Sequence, residues 1–108
     1  MMTKKNKIFI ENTARRDINS IYSFYEFNYG KTYSKKYMKT FKNKINILCE
    51  FPYIGVLTDY DTTIDVDIRK IIVGRYSVYY MFLEESNKVI IIRIIEQKLN
   101  QFDDNEIA

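Results

Sequence analysis

The sequence predicts one α+β domain: a short first strand, an antiparallel pair of helices, then a three-stranded antiparallel meander that completes a four-stranded sheet. Three observations predict it. The chain has 108 residues, 46% hydrophobic and 29% charged, which fits a single domain, 1–108, around one core. Between Ala14 and Leu48 apolar residues recur at helical spacing, broken at Gly30. From Ile68 to Ile95 the pattern changes to runs of β-branched and aromatic residues separated by short turn signals.

The elements follow in order. Ile8, Phe9 and Ile10 mark a strand over residues 7–11. Asn12 or Thr13 offers an N-cap. Ala14, Ile18, Ile21, Tyr22 and Tyr25 form one buried stripe of a helix over 13–29, ended by Gly30. Tyr33, Tyr37, Met38, Phe41, Ile45 and Leu48 form the stripe of a second helix over 31–50. The connection at Gly30 is so short that the two helices must run antiparallel. Pro52 and Gly55 in FPYIG stop the second helix and turn the chain. Thr58 to Asp67 is polar and reads as a solvated loop. Its aspartates Asp59, Asp61, Asp65 and Asp67 do not fit a calcium loop, because the sixth position from Asp59 is Ile64 rather than glycine and the twelfth is Lys70 rather than glutamate. Strands are expected over 68–73, 76–83 and 89–95, joined by Gly74-Arg75 and by a loop over 84–88, with no helix anywhere in 68–95. The polar segment 97–108 is expected to fray.

Composition removes whole classes of function. No apolar run approaches the roughly 20 residues of a membrane-spanning helix. The basic start is followed only by Ile8, Phe9 and Ile10, too few for the apolar region of a signal peptide, so a cytoplasmic location is expected. With one cysteine, Cys49, there is no internal disulfide. With no histidine, Ser-His-Asp and Cys-His triads and histidine zinc sites are excluded. No metal or other cofactor is expected. The net charge is only +3, but Lys31, Lys35, Lys36, Lys39, Lys42 and Lys44 fall in a stretch without an acid. That stretch is either a solvated helix face or a patch for an acidic partner. Read as a nucleic-acid surface it would give only salt-sensitive, non-specific binding, since no base-reading residues are interleaved.

Alternation along the strands sorts side chains onto two faces. Ile90, Ile92 and Ile94 are expected to face the helices, as are Tyr76, Val78, Tyr80 and Phe82, with Leu48 and Ile92 buried where the helices meet the sheet. The opposite face then collects Lys70, Ser77, Tyr79, Met81, Ile91, Arg93 and Ile95, with Val89 beside them, while Arg69 falls at a strand edge. An apolar floor carrying basic and aromatic groups suits a binding groove.

Three segments resemble the RelE/ParE toxins of type II toxin–antitoxin systems, in the same order and over most of the chain. They are ARRDINSIYSFYEFNYG from Ala14 to Gly30, FKNKINILCEFPYIG from Phe41 to Gly55, and IRKIIVGRYSVYYMFLEESNKVIIIRII from Ile68 to Ile95. The resemblance implies a two-helix hairpin on a four-stranded sheet and a dedicated antitoxin partner in a hetero-oligomer. That antitoxin would cover the open face or the helix hairpin, pairing acids with Arg93, Lys70 or the second-helix lysines Lys35, Lys39 and Lys42. The family has two mechanisms. ParE-like members are not nucleases and inhibit DNA gyrase, whereas RelE-like members cleave mRNA in the ribosomal A site. Gly74-Arg75-Tyr76 and the Ile-Ile-Arg-Ile-Ile of the last strand are closer to the ParE-like branch. RNA cleavage by the 2′-hydroxyl would fall to Lys70, Tyr79 and Arg93, with Glu96 nearby. RelE-like members, however, carry an arginine where this chain has Ser77, a basic residue near Gln97 or Lys98, and a tyrosine in the C-terminal segment. No tyrosine follows Tyr80, and Phe102 lacks the hydroxyl. The reading is therefore a toxin that binds its target, gyrase, rather than an enzyme. The alternative is a ribosome-dependent mRNA endonuclease.

Overall fold

The computed structural model describes residues 5–61, 63 and 65–97. Its elements are β1 (Lys7–Ile10), α1 (Asn12–Tyr29), α2 (Lys31–Ile45), β2 (Val56–Leu57), β3 (Arg69–Val73), β4 (Tyr76–Leu83) and β5 (Lys88–Glu96). The expected tail lies, past Gln97, outside the described residues.

α1 starts one residue earlier than expected. Its cap is Glu11, whose carbonyl accepts the Arg15 N–H at 2.9 Å, and neither Asn12 nor Thr13 caps it. Gly30 joins the helices alone: it donates to the Glu26 carbonyl at 2.9 Å and accepts the Ser34 N–H at 3.1 Å. Serving both ends requires φ = +91°, a value open to glycine and costly to residues with a Cβ. Along the hairpin seam the Tyr25 and Tyr37 rings stack at 4.1 Å, and Phe41 meets Tyr76 edge-on at 5.9 Å. Burial, and then hydrogen bonding to Tyr25, pushes the phenols of Tyr37 and Tyr76 well above their ordinary pKa. α2 ends at Ile45, and the chain tightens into a 3₁₀ turn, Asn46–Cys49, that still presents Leu48 to the core.

The helices cover one face of a sheet ordered β1-β5-β4-β3-β2. β1 runs parallel to β5, and the other neighbours are antiparallel. Gly74, at φ = +62°, opens the two-residue turn between β3 and β4, the arrangement of a type II′ hairpin. The fold class is as expected, with two departures. The sheet has five strands, because Val56–Leu57 pairs with Arg69 and Lys70 where the sequence shows only a turn and a loop. Glu84–Ser86 makes one 3₁₀ turn in the β4–β5 connection, inside the span where no helix is expected.

The two faces of β5 are the reverse of those expected over Val89 to Ile92. Val89 and Ile91 are fully buried in the helix-side core, and Ile90 and Ile92 are not part of it. In the β4–β5 register Tyr80 opposes Ile91 but Tyr79 opposes Arg93, so Ile92 is an inserted residue. This β-bulge reverses the alternation, and Ile94 returns to the core. A run of isoleucines carries no polar marker of the inserted position. In β4 the expected inward set holds, with Tyr76, Val78 and Tyr80 buried and Phe82 packed at the margin.

Leu48 is fully buried in the core among Phe41, Ile45, Val89 and Ile91. Leu48→Ala should cost about 2–5 kcal/mol, the range for removing a buried leucine side chain into a partly relaxing cavity. An unchanged denaturant midpoint would place the helix–sheet junction elsewhere.

Candidate functional site

On the face away from the helices, Lys70, Tyr79 and Arg93 stand in one cross-strand row: Lys70 opposes Tyr79, and Tyr79 opposes Arg93. The Lys70 Nζ lies 5.9 Å from the centre of the Tyr79 ring, at the outer limit of a cation–π contact. Ser77 and Ile95 form the next pair along the same face. Ile95 is exposed, but Ser77 is buried, so its hydroxyl is shielded from a ligand. Met81 lies on this side and is also buried, in the wall of a small pocket that Tyr60, Ile68 and Arg93 also line. Ile91, expected here, is in the core on the other side because of the bulge.

Two residues not foreseen shape the site. Tyr60, from the loop after β2, packs its ring 5.0 Å from that of Tyr79, so the face is not fully open. Asp17, on α1, reaches round the edge of β5. Its Oδ2 accepts from Arg93 Nε at 2.8 Å and from the Ile94 backbone N–H at 2.8 Å, and its Oδ1 accepts from Arg93 Nη2 at 3.3 Å. β1 covers only Lys88 to Ile91, so Asp17 takes the place of the missing strand at Ile94. Hydrogen bonding to Asp17 holds the Arg93 pKa above its already high ordinary value, against the opposing effect of desolvation. The Asp-Ile pair at 17–18 is visible in the sequence, but nothing there connects it to an arginine 76 residues on.

The second-helix lysines are on another part of the surface. Lys35, Lys39 and Lys42 rim a groove of ≈ 430 Å³ between α1 and α2, floored by Ile18, Tyr22 and Met38. They do not join Lys70 and Arg93. Arg69, expected at a strand edge, is instead flanked on both sides, by Leu57 of β2 and Tyr80 of β4. Its Nη1 donates to the Gly55 carbonyl at 2.8 Å, and its guanidinium sits 5.2 Å from the Tyr53 ring centre. Among the described residues no three histidines, cysteines or carboxylates cluster to hold a metal ion, and no helix is long and apolar enough to cross a membrane.

The model of the ParE toxin of the type II toxin–antitoxin system parDE matches residues 8–100, nearly the whole chain. The chain belongs to the ParE toxin family. No curated relative matches it. Among solved structures it is similar to a chain of the chromosomal ParDE toxin–antitoxin system from P. aeruginosa, with TM-score 0.70 and 14% identity, covering 89% of this chain and 100% of that one. It is also similar to the isolated E. coli RelE toxin, with TM-score 0.61, 15% identity and coverage of 94% and 95%. The archaeal RelE–RelB complex from Pyrococcus horikoshii gives TM-score 0.58 at 16% identity, with coverage of 85% and 94%. At such identities these structures establish a shared fold. In this ParE-family chain the strand row thus offers one lysine over an aromatic ring, one arginine already paired, and a shielded serine.

Proposed function

We propose that this ParE-family domain is a cytoplasmic toxin that acts by binding DNA gyrase and is neutralised by its own antitoxin. The observation that carries the binding reading is the engagement of Arg93 by Asp17 in a two-point pair. In-line cleavage of RNA needs a cation at the scissile phosphate and groups to move protons at two oxygens. Here the arginine of the strand row would first have to leave a carboxylate, and the neighbouring serine is buried. Lys70 and Tyr79 then serve as contact residues, and a contact surface of aromatic, apolar and basic groups is well suited to a protein target.

The purified domain should inhibit supercoiling by gyrase and leave mRNA intact on programmed ribosomes, read by primer extension. General acid or base assistance is worth about 10²–10⁴-fold per role, so absent roles should leave no cleavage above background. Codon-dependent cleavage that disappears in Lys70→Ala or Tyr79→Phe, with folding and antitoxin binding retained, would make the domain an endonuclease with a rebuilt site.

A further inference from the structure

The outer edge of β3 is only half covered. β2 places Val56 opposite Lys70, and Thr58 donates its N–H to the Ile68 carbonyl at 2.9 Å. In an antiparallel ladder alternate residues turn their N–H and C=O to the same side, so Ile72 is next in the series Ile68, Lys70. The residue that would meet it is Ile54, but Ile54 donates instead to the Phe51 carbonyl at 3.1 Å. The chain leaves the edge there because Gly55 and Pro52 are tied to the Tyr80 hydroxyl. Among the described residues no hydrogen bond reaches Ile72 from that side.

Around this unpaired edge lies a groove of ≈ 540 Å³, walled by the end of α2 on one side and by Ile54 and Val56 at its end. Ile47, Ile54, Val56 and Ile72 are 41–60% exposed, a contiguous apolar surface beside an open strand edge. Among the described residues, the only charged ones lining it are Lys44 and Lys70. We propose that this groove takes an extended segment of a partner protein as an added strand on Ile72, with apolar side chains toward Ile47 on the helix side, carboxylates toward Lys70 on the other, and Lys44 adding positive charge at the rim. A second copy of this chain does not fit. Laid antiparallel with Ile72 on Ile72, it would put its Gly74 opposite Lys70, where Val56 already sits. The copy would also bring lysines, not acids, to a basic rim. The inference deepens the reading above, taking the segment as part of the neutralising protein, and rests on it for that assignment alone.

The test is a titration of the ¹⁵N-labelled full chain with the blocked peptide Glu-Val-Glu-Ile-Glu-Val, and with Lys-Val-Lys-Ile-Lys-Val as control. The acidic peptide should shift the Ile72 amide most and slow its exchange with solvent by roughly tenfold or more. The lysine peptide should bind about tenfold more weakly, and Lys44→Glu combined with Lys70→Glu should reverse that preference. Shifts centred on the helix hairpin or on Tyr79, no shift at all, or an Ile72 amide that still exchanges at its free rate would overturn the proposal. Toxicity and neutralisation in cells are scored separately. A harmless chain would sink the toxin reading and leave the groove result standing. A toxin neutralised by a partner whose complex leaves the Ile72 amide open would sink the groove alone.

Discussion

Gly55→Ala should destabilise the domain by about 3–5 kcal/mol, a large part of the roughly 5–15 kcal/mol that holds a domain folded. A Cβ at this position would lie 2.6 Å from the Tyr80 hydroxyl and 2.8 Å from the Lys70 carbonyl oxygen. Neither can retreat. Tyr80 is fully buried, and the Lys70 carbonyl is on the β2 side of the ladder. Overpacking of this kind costs about 1–3 kcal/mol. The displaced groups also carry hydrogen bonds: Gly55 N–H donates to Tyr80 Oη at 2.9 Å, Tyr80 Oη donates to the Pro52 carbonyl at 2.8 Å, and Arg69 donates to the Gly55 carbonyl at 2.8 Å. Each is worth about 0.5–1.5 kcal/mol net. Because the hydroxyl is the nearest of the atoms the Cβ would meet, and Tyr80→Phe removes that one clash, adding Tyr80→Phe to Gly55→Ala should cost less than the sum of the two single changes. Chemical denaturation of the four proteins checks this. A Gly55→Ala protein within about 0.5 kcal/mol of the parent would mean that the 52–55 turn is not clamped to the sheet in solution.

This clamp marks the limit of what the sequence could convey. Pro52 and Gly55 announce a turn by their backbone chemistry, but the phenol that receives the turn is 25 residues from Gly55 and looks like any inward tyrosine of a strand. The helices were readable because lysines and other polar residues mark the solvent side of each turn, so Ala14, Ile21, Phe41 and Ile45 stand out as core. β5 offers no such contrast. In a run of four apolar residues from Val89 to Ile92 either parity satisfies the pattern, and the bulge at Ile92 is invisible until β4 is placed beside it. That is why Ile91 was expected on the open face and lies in the core, while Ile92 was expected inside and does not. β2 leaves no mark in the sequence, because two residues are too few to show alternation.

The site was legible to the extent that short local alternation could order it. Lys70, Tyr79 and Arg93 do share one row, since β3 and β4 keep strict register and the bulge leaves Arg93 on the open side. What the row can do depends on two groups from elsewhere in the chain, Tyr60 and Asp17. Those contacts are tertiary, and a single sequence contains no term that joins them.

Asp17→Ala should cost more than Arg93→Ala, about 2–3 against about 1 kcal/mol, although the two side chains form one ion pair. The pair itself is weakly worth having: the Arg93 side chain is 37% exposed, and partly exposed pairs contribute about 0–1 kcal/mol. Asp17 is only 16% exposed and does a second job, since its Oδ2 is the acceptor for the Ile94 N–H. Ile94 itself is buried, beside Ile21 and Phe24. Removing the carboxylate leaves that backbone donor without its acceptor, at about 1–3 kcal/mol, whereas removing the guanidinium leaves the Asp17–Ile94 bond in place. Asp17→Asn keeps a carbonyl oxygen for Ile94 and should fall between the two. Salt separates the contributions further. Raising ionic strength screens the ion pair, so the cost of Arg93→Ala should shrink, while most of the cost of Asp17→Ala should remain. Denaturant midpoints of the three variants at low and high salt give the comparison. Equal costs that vanish together at high salt would mean that the ion pair alone ties α1 to β5. Arg93 would then be released by salt as a free cation beside Tyr79, and the case for a binding toxin over a nuclease would lose its support at that residue.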